Sequence, residues 1–141
     1  MQAHEIRLRA RYAETDQMGV VHHANYLVWM EAARVEFSKA CGFDYREMEE
    51  CDGVLMVVAE ARCRYSHPAR FDDEVVVRIS TAQVNTRMVR FHYEMRRADG
   101  LKLASGETAH VFCRRDLKPC RMPDKYRKNF GLPPAEAGAA Q

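Results

Sequence analysis

Apolar and polar side chains alternate from His4 to Tyr12, with Ile6, Leu8, Ala10 and Tyr12 on one side and Glu5, Arg7, Arg9 and Arg11 on the other. That two-residue period predicts a half-buried strand whose apolar side includes Tyr12. A polar stretch with one glycine, residues 13–23, ends the pattern. From Ala24 to Cys41 the period becomes 3.6. Trp29, Ala40, Ala33, Tyr26, Phe37, Met30 and Cys41 form one stripe of a helix, and Gly42 stands where a left-handed C-cap would end it. Val28 and Val35 add apolar surface nearly opposite that stripe, so this helix is expected to be wrapped on most sides.

After a short charged helical turn, Asp44 to Glu50, the chain reads as sheet. Between Val54 and Tyr65 the odd positions, Leu55, Val57, Ala59, Ala61, Cys63 and Tyr65, make an unbroken apolar face. Pro68 ends that strand and Phe71-Asp72-Asp73 makes a turn. Glu74–Val84 and Arg87–Arg97 are the next two strands, the second with Val89, Phe91, Tyr93 and Met95 inward. Asp99-Gly100 signals a hairpin into the last strand, Leu101–Arg115. One strand, a long helix and four further strands predict an α+β fold in which an antiparallel sheet of about five strands wraps around one central helix. Residues 1–132 read as the domain and 133–141, rich in Ala and Gly, as a frayed tail.

Composition narrows the classes. At 141 residues, 47% hydrophobic and 30% charged, the chain suits one globular domain and excludes a disordered one. A net charge of +2 argues against a general nucleic-acid binder. Apolar runs fall short of the 18 residues of a membrane span, and the start, MQAHEIRLRAR, is charged where a signal peptide is apolar. A cytoplasmic protein is expected. Cys41, Cys51, Cys63, Cys113 and Cys120 are odd in number and irregularly spaced, which predicts free, mostly buried thiols and no structural metal.

Chemistry concentrates in RYAETDQMGVVHHANYLVWMEAAR, Arg11 to Arg34. Asp16 is a carboxylate in the connecting loop, and Gly19 permits a tight turn or a close approach to a ligand. The helix begins near His22–Asn25, where unpaired N–H groups and the positive dipole end can hold a negative oxygen. A carboxylate beside such a terminus suits acyl transfer. A thioester fits best, because a thiol with a pKa near roughly 8.5 leaves as thiolate without a strong acid. Plainer readings stand alongside: Asp16 as a turn residue, Tyr12 as core, the helix stripe as packing. His22 and His23 lack the i, i+4 spacing of a helical metal pair, so no metal or other cofactor is expected.

The segment resembles the hotdog-fold acyl-CoA thioesterases of the 4-hydroxybenzoyl-CoA thioesterase family, and within it the subgroup associated with the Tol-Pal system. The family pattern Y-x-x-x-D-x-x-G-V-V-x-H-x-x-Y is matched by Tyr12, Asp16, Gly19, Val20, Val21, His23 and Tyr26. RFDDEV, Arg70 to Val75, resembles the family's turn between strands, and Ser105 to Pro123 its final strand and exit. The resemblance implies that Asp16 is the nucleophile or general base and that the His23 N–H polarises the thioester carbonyl. Tyr12 and the His23 ring take auxiliary catalytic places, and Gly19 and Val21 lie against substrate. Arg87, with Arg90 second, is implied for the phosphates of coenzyme A, which arginine suits. The implied partners are acyl-CoA, an acyl carrier protein as alternative carrier, and further copies of the chain in a homodimer or a dimer-of-dimers tetramer. A hydroxyacyl dehydratase fits less well, because the acid precedes the glycine instead of lying on the helix. A non-hydrolytic acyl-thioester or acyl-carrier-protein binding module is the alternative.

Overall fold

Strand β1 (Ala3–Arg9), helix α1 (Asn25–Ala40), short helix α2 (Tyr45–Glu50) and strands β2 (Val54–Tyr65), β3 (Glu74–Val84), β4 (Met88–Arg97) and β5 (Lys102–Arg114) follow one another in the computed structural model, which describes residues 2–136. The strands form one antiparallel sheet in the order β1-β3-β4-β5-β2, and α1 packs across its inner face. The expected α+β hotdog architecture is therefore the observed one. Of the anticipated tail, residues 137–141 lie outside the described residues, while 132–136 carry no helix or strand.

Alternation of burial drives the sheet. Val75, Val77 and Ile79 of β3 and Val89, Phe91, Tyr93 and Met95 of β4 are fully buried against the Trp29, Met30, Ala33 and Phe37 side of α1. Gly106 lies opposite Tyr93 in the ladder, and a Cβ there would collide with the Met30 methyl and the Arg62 carbonyl. The missing side chain lets helix and sheet approach. Helix α1 stops in a Schellman motif: Phe43 N–H donates to Ser38 O at 3.0 Å, Gly42 N–H to Lys39 O at 3.1 Å, and Gly42 has φ +88°.

Four expectations change. β1 ends at Arg9, because Ala10 N–H bonds Asp73 O and the chain then turns through a 3₁₀ segment, Tyr12–Glu14; Tyr12 is 76% exposed, not core. The apolar face of β2 is not one odd-numbered set. A bulge between Val58 and Glu60 shifts the register, so Val54, Met56 and Val58 share the helix side with Ala61 and Cys63. Within one chain helix α1 is not wrapped on most sides either: Leu27, Val28 and Val35 are exposed. Among the cysteines, all free, only Cys113 is buried.

One polar chain crosses the core. Arg34 Nη1 donates to the Tyr93 hydroxyl (3.1 Å), which bonds Thr108 Oγ1 (2.6 Å), which bonds His110 Nε2 (2.8 Å). Burial first, then the Arg34 charge, lowers the His110 pKa from 6.5 to about 4. Only the neutral ring suits the fold, so its contribution is whole above pH 6.5 and is lost as pH falls toward 4. Denaturant midpoints measured across that window should show up to about 3 kcal/mol of acid destabilisation. His110→Leu should flatten this slope whatever it does to stability at pH 7. Equal slopes in the two proteins would remove His110 from the acid response.

Candidate active site

The loop between β1 and α1 is pinned to its surroundings by its own main chain. Thr15 and Val21 form an isolated antiparallel bridge, and Val21 N–H donates to Ala69 O at 2.8 Å. Between them Asp16 N–H bonds Val20 O and Gly19 N–H bonds Asp16 O, each at 3.0 Å. Gly19 has φ +78° with open space around its Cα, so glycine is required there by the backbone rather than by a close contact. Asp16 Oδ1 accepts the Met18 N–H at 2.9 Å. Oδ2 takes no hydrogen bond from the described residues. Asp16 is thus a turn residue with one oxygen and available for chemistry with the other.

Helix α1 begins without a side-chain cap, because Ala24 occupies the cap position. His22 O accepts the Asn25 N–H at 3.0 Å, which turns that carbonyl into the helix. In a trans peptide the His23 N–H then points the opposite way, out of the helix start, and it meets no acceptor among the described residues. Tyr65 Oη donates to His23 O at 2.9 Å. Burial, and then its bond to Cys63, push the Tyr65 pKa up to about 12, which keeps this donor protonated at neutral pH. Tyr26, buried in α1, accepts the Ala69 N–H at 3.1 Å and packs edge-on to Tyr65 at 5.0 Å.

These groups face one open cleft of about 260 Å³, lined by Asp16, Met18, Val20, Val21, His23, Tyr26 and Tyr65 and closed by Ser66, His67 and Pro68. A larger depression, about 360 Å³, lies on the outer sheet surface among Arg62, Arg64, His92 and Lys102, away from these residues. Of the residues named from sequence, Asp16, Val21 and His23 come together. Gly19 shapes the loop beside them. Tyr12 stands outside the cleft, edge-on to Phe71 at 5.7 Å. Arg90 is on the outer face, paired with Glu60 (3.3 Å) and Glu107 (3.5 Å). Arg87 is in the β3–β4 turn, at the end of β3 opposite the one that adjoins the loop, roughly 30 Å away at about 3.3 Å per strand residue. Sequence reasoning missed Tyr65 as a polar wall residue, since its place in an alternating strand read as packing. It also missed Glu14, a buried carboxylate in the polar loop.

Comparison with known proteins agrees with this fold. Residues 18–104 match the Thioesterase superfamily model. The protein named "Putative acyl-CoA thioesterase YneP" of Bacillus subtilis is 35% identical over 123 residues, covering 87% of this chain and 86% of its own. The crystal structure of protein TT1821 of Thermus thermophilus superposes with a TM-score of 0.85 at 39% identity, covering 93% and 98% of the two chains. The DHNA-CoA thioesterase of Staphylococcus aureus superposes with 0.84 at 31% identity, covering 89% and 84%. A cleft that joins a loop carboxylate to an uncapped helix start, a sheet wrapped on one helix and a match over most of the chain lead to one assignment: the chain belongs to the thioesterase superfamily of the hotdog fold.

Proposed function

We propose that the chain is an acyl-CoA thioester hydrolase, releasing a carboxylic acid and free coenzyme A. The observation that carries this reading is the unshared Oδ2 of Asp16 in the same cleft as the outward His23 N–H. A thioester carbonyl held by that N–H presents its carbon to Asp16. The carboxylate supplies the electron pair, either directly or by taking a proton from water. The oxyanion is held at the helix start, and the C–S bond breaks with the electrons leaving on sulfur. Water ends in the acid and in the thiol proton. The histidine at position 23 is the feature that favours the Tol-Pal-associated subgroup. Five free cysteines favour the cytoplasm, and among the described residues no helix is long and apolar enough to cross a membrane.

The working unit is a dimer in this reading. β2 is an edge strand with unpaired main-chain groups, and Leu27, Val28 and Val58 are exposed beside it. Two copies joined antiparallel along β2 about a two-fold axis form one continuous sheet. That pairing sets the far end of one copy level with the cleft of the other. Arg87 of the partner subunit then lies on the same side as Asp16, where a coenzyme A phosphate could reach it. An acyl carrier protein is the alternative carrier.

Asp16→Asn should lower kcat on acyl-CoA at least about a hundredfold while folding and ligand affinity stay near wild type. Thiol release followed across acyl chain lengths reads this directly. Saturable binding by wild type without turnover of any ester would favour the binding-module reading instead. Arg87→Ala should raise KM more than it lowers kcat, and a short thioester without the nucleotide should not respond. Because the two residues act from different subunits, mixing Asp16→Asn with Arg87→Ala chains should return intact behaviour at about a quarter of the sites after random exchange. No recovery would place Arg87 outside the partner's site.

A further inference from the structure

We propose that Glu14 is a positioning residue for this site, a buried carboxylate that clasps the catalytic loop to the start of helix α1. The inference rests on the hydrolase reading above.

Glu14 is 5% exposed, in a loop that is otherwise mostly at the surface. Its Oε1 accepts the Arg11 N–H at 2.7 Å, and its Oε2 accepts the indole N–H of Trp29 at 3.0 Å. The Arg11 guanidinium lies 3.7 Å from Oε2 and balances the charge from the exposed side. Trp29 is itself buried, in the second turn of α1. The main chain of the same residue makes a second attachment: Glu14 O accepts the His22 N–H and the Asn25 side-chain amide, both at 2.8 Å. One residue therefore grips the loop two positions before Asp16, the residue before His23, and the first residue of the helix.

Such a clasp has a specific consequence. Ala24 at the cap position has no side chain to fix the direction of the first N–H groups, and the side-chain acceptor that does meet one of them, His22 Nδ1 with the Ala24 N–H at 3.3 Å, belongs to the residue whose own N–H Glu14 holds. The Asn25 side chain is turned back to Glu14, and His22 is held by it on the other side of His23. The spacing of Asp16 Oδ2 from the His23 N–H is thus set through Glu14, with no contact between Glu14 and the cleft. A carboxylate is needed for the side-chain part. It offers acceptors to two N–H donors at once, whereas an amide must turn its own N–H₂ toward one of them.

Glu14→Gln should lower kcat at least about tenfold per folded molecule and leave KM for acyl-CoA within about threefold, since a small misplacement of reacting groups costs the chemical step more than binding. Trp29→Phe removes the other half of the same bond and should lower kcat in the same manner. It also serves as the test if Glu14→Gln does not fold. The double variant should be no slower than the slower single one, because one interaction is lost twice. Losses that multiply, or a kcat in both single variants within twofold of wild type once the folded fraction is counted, would overturn the proposal. Asp16→Asn in the same series keeps the two readings apart. If it is inactive while Glu14→Gln is unaffected, only the clasp falls. If Asp16→Asn is fully active, the hydrolase assignment of the site falls first.

Discussion

A helix cannot bond its own first N–H groups, and in this protein the cap residue, Ala24, has no side chain to do so. His22 pairs two of the N–H groups there, its Nδ1 taking the Ala24 N–H at 3.3 Å and its carbonyl the Asn25 N–H at 3.0 Å, while the His23 N–H between them meets no acceptor among the described residues. The polar loop before the helix has to shape its surroundings from main-chain bonds, to Ala69 through Val21 and to Glu14 through His22 and Asn25. The surrounding elements close on that one unpaired N–H. The sheet curves around α1 to bury its apolar side, β2 ends where Tyr65 can bond the His23 carbonyl, and the segment after β2 walls the cleft. A serine or aspartate at position 24 would favour the helix by roughly 1 kcal/mol by bonding the Tyr26 or Leu27 N–H.

Much of this was legible in the sequence because two periods are hard to confuse. β3 and β4 sit where strict alternation puts them, α1 begins and ends within a residue of its pattern, and Gly42 caps it in the left-handed conformation expected. What failed did so for local reasons. Tyr12 continues the alternation, yet the Glu14 carboxylate draws the Arg11 amide into a 3₁₀ turn and takes the tyrosine out of the ladder. In β2 a bulge is invisible to a rule that counts by two. Asp16 and His23, which line one cleft, were singled out as a loop carboxylate before a helix start and by their match to a family pattern. Glu14 was not, because a carboxylate in a polar loop gives no sign of being buried.

The position of Arg87 illustrates a different limit. The family resemblance implied a phosphate contact for Arg87, but in one chain its turn and the cleft occupy opposite ends of the sheet. Only in the dimer proposed above does the partner's Arg87 come level with the cleft of the other copy. Among the described residues β1 and β2 are the edge strands, each with outer main-chain groups that have no strand beside them.

The bulge in β2 has a further effect on how the chain can vary. Ala59 is the surplus residue: with it removed, Val58, Glu60 and Ala61 would still alternate in, out and in. The facing of every side chain would survive, but the extra bend and twist that a bulge gives a strand would not. The last third of β2 would then run straight, and Tyr65 would be carried away from the helix start it serves. A one-residue deletion here is therefore silent to packing and costly to aim. Length variation among proteins of this architecture should be resisted at position 59 by the direction of one hydroxyl group, not by the core.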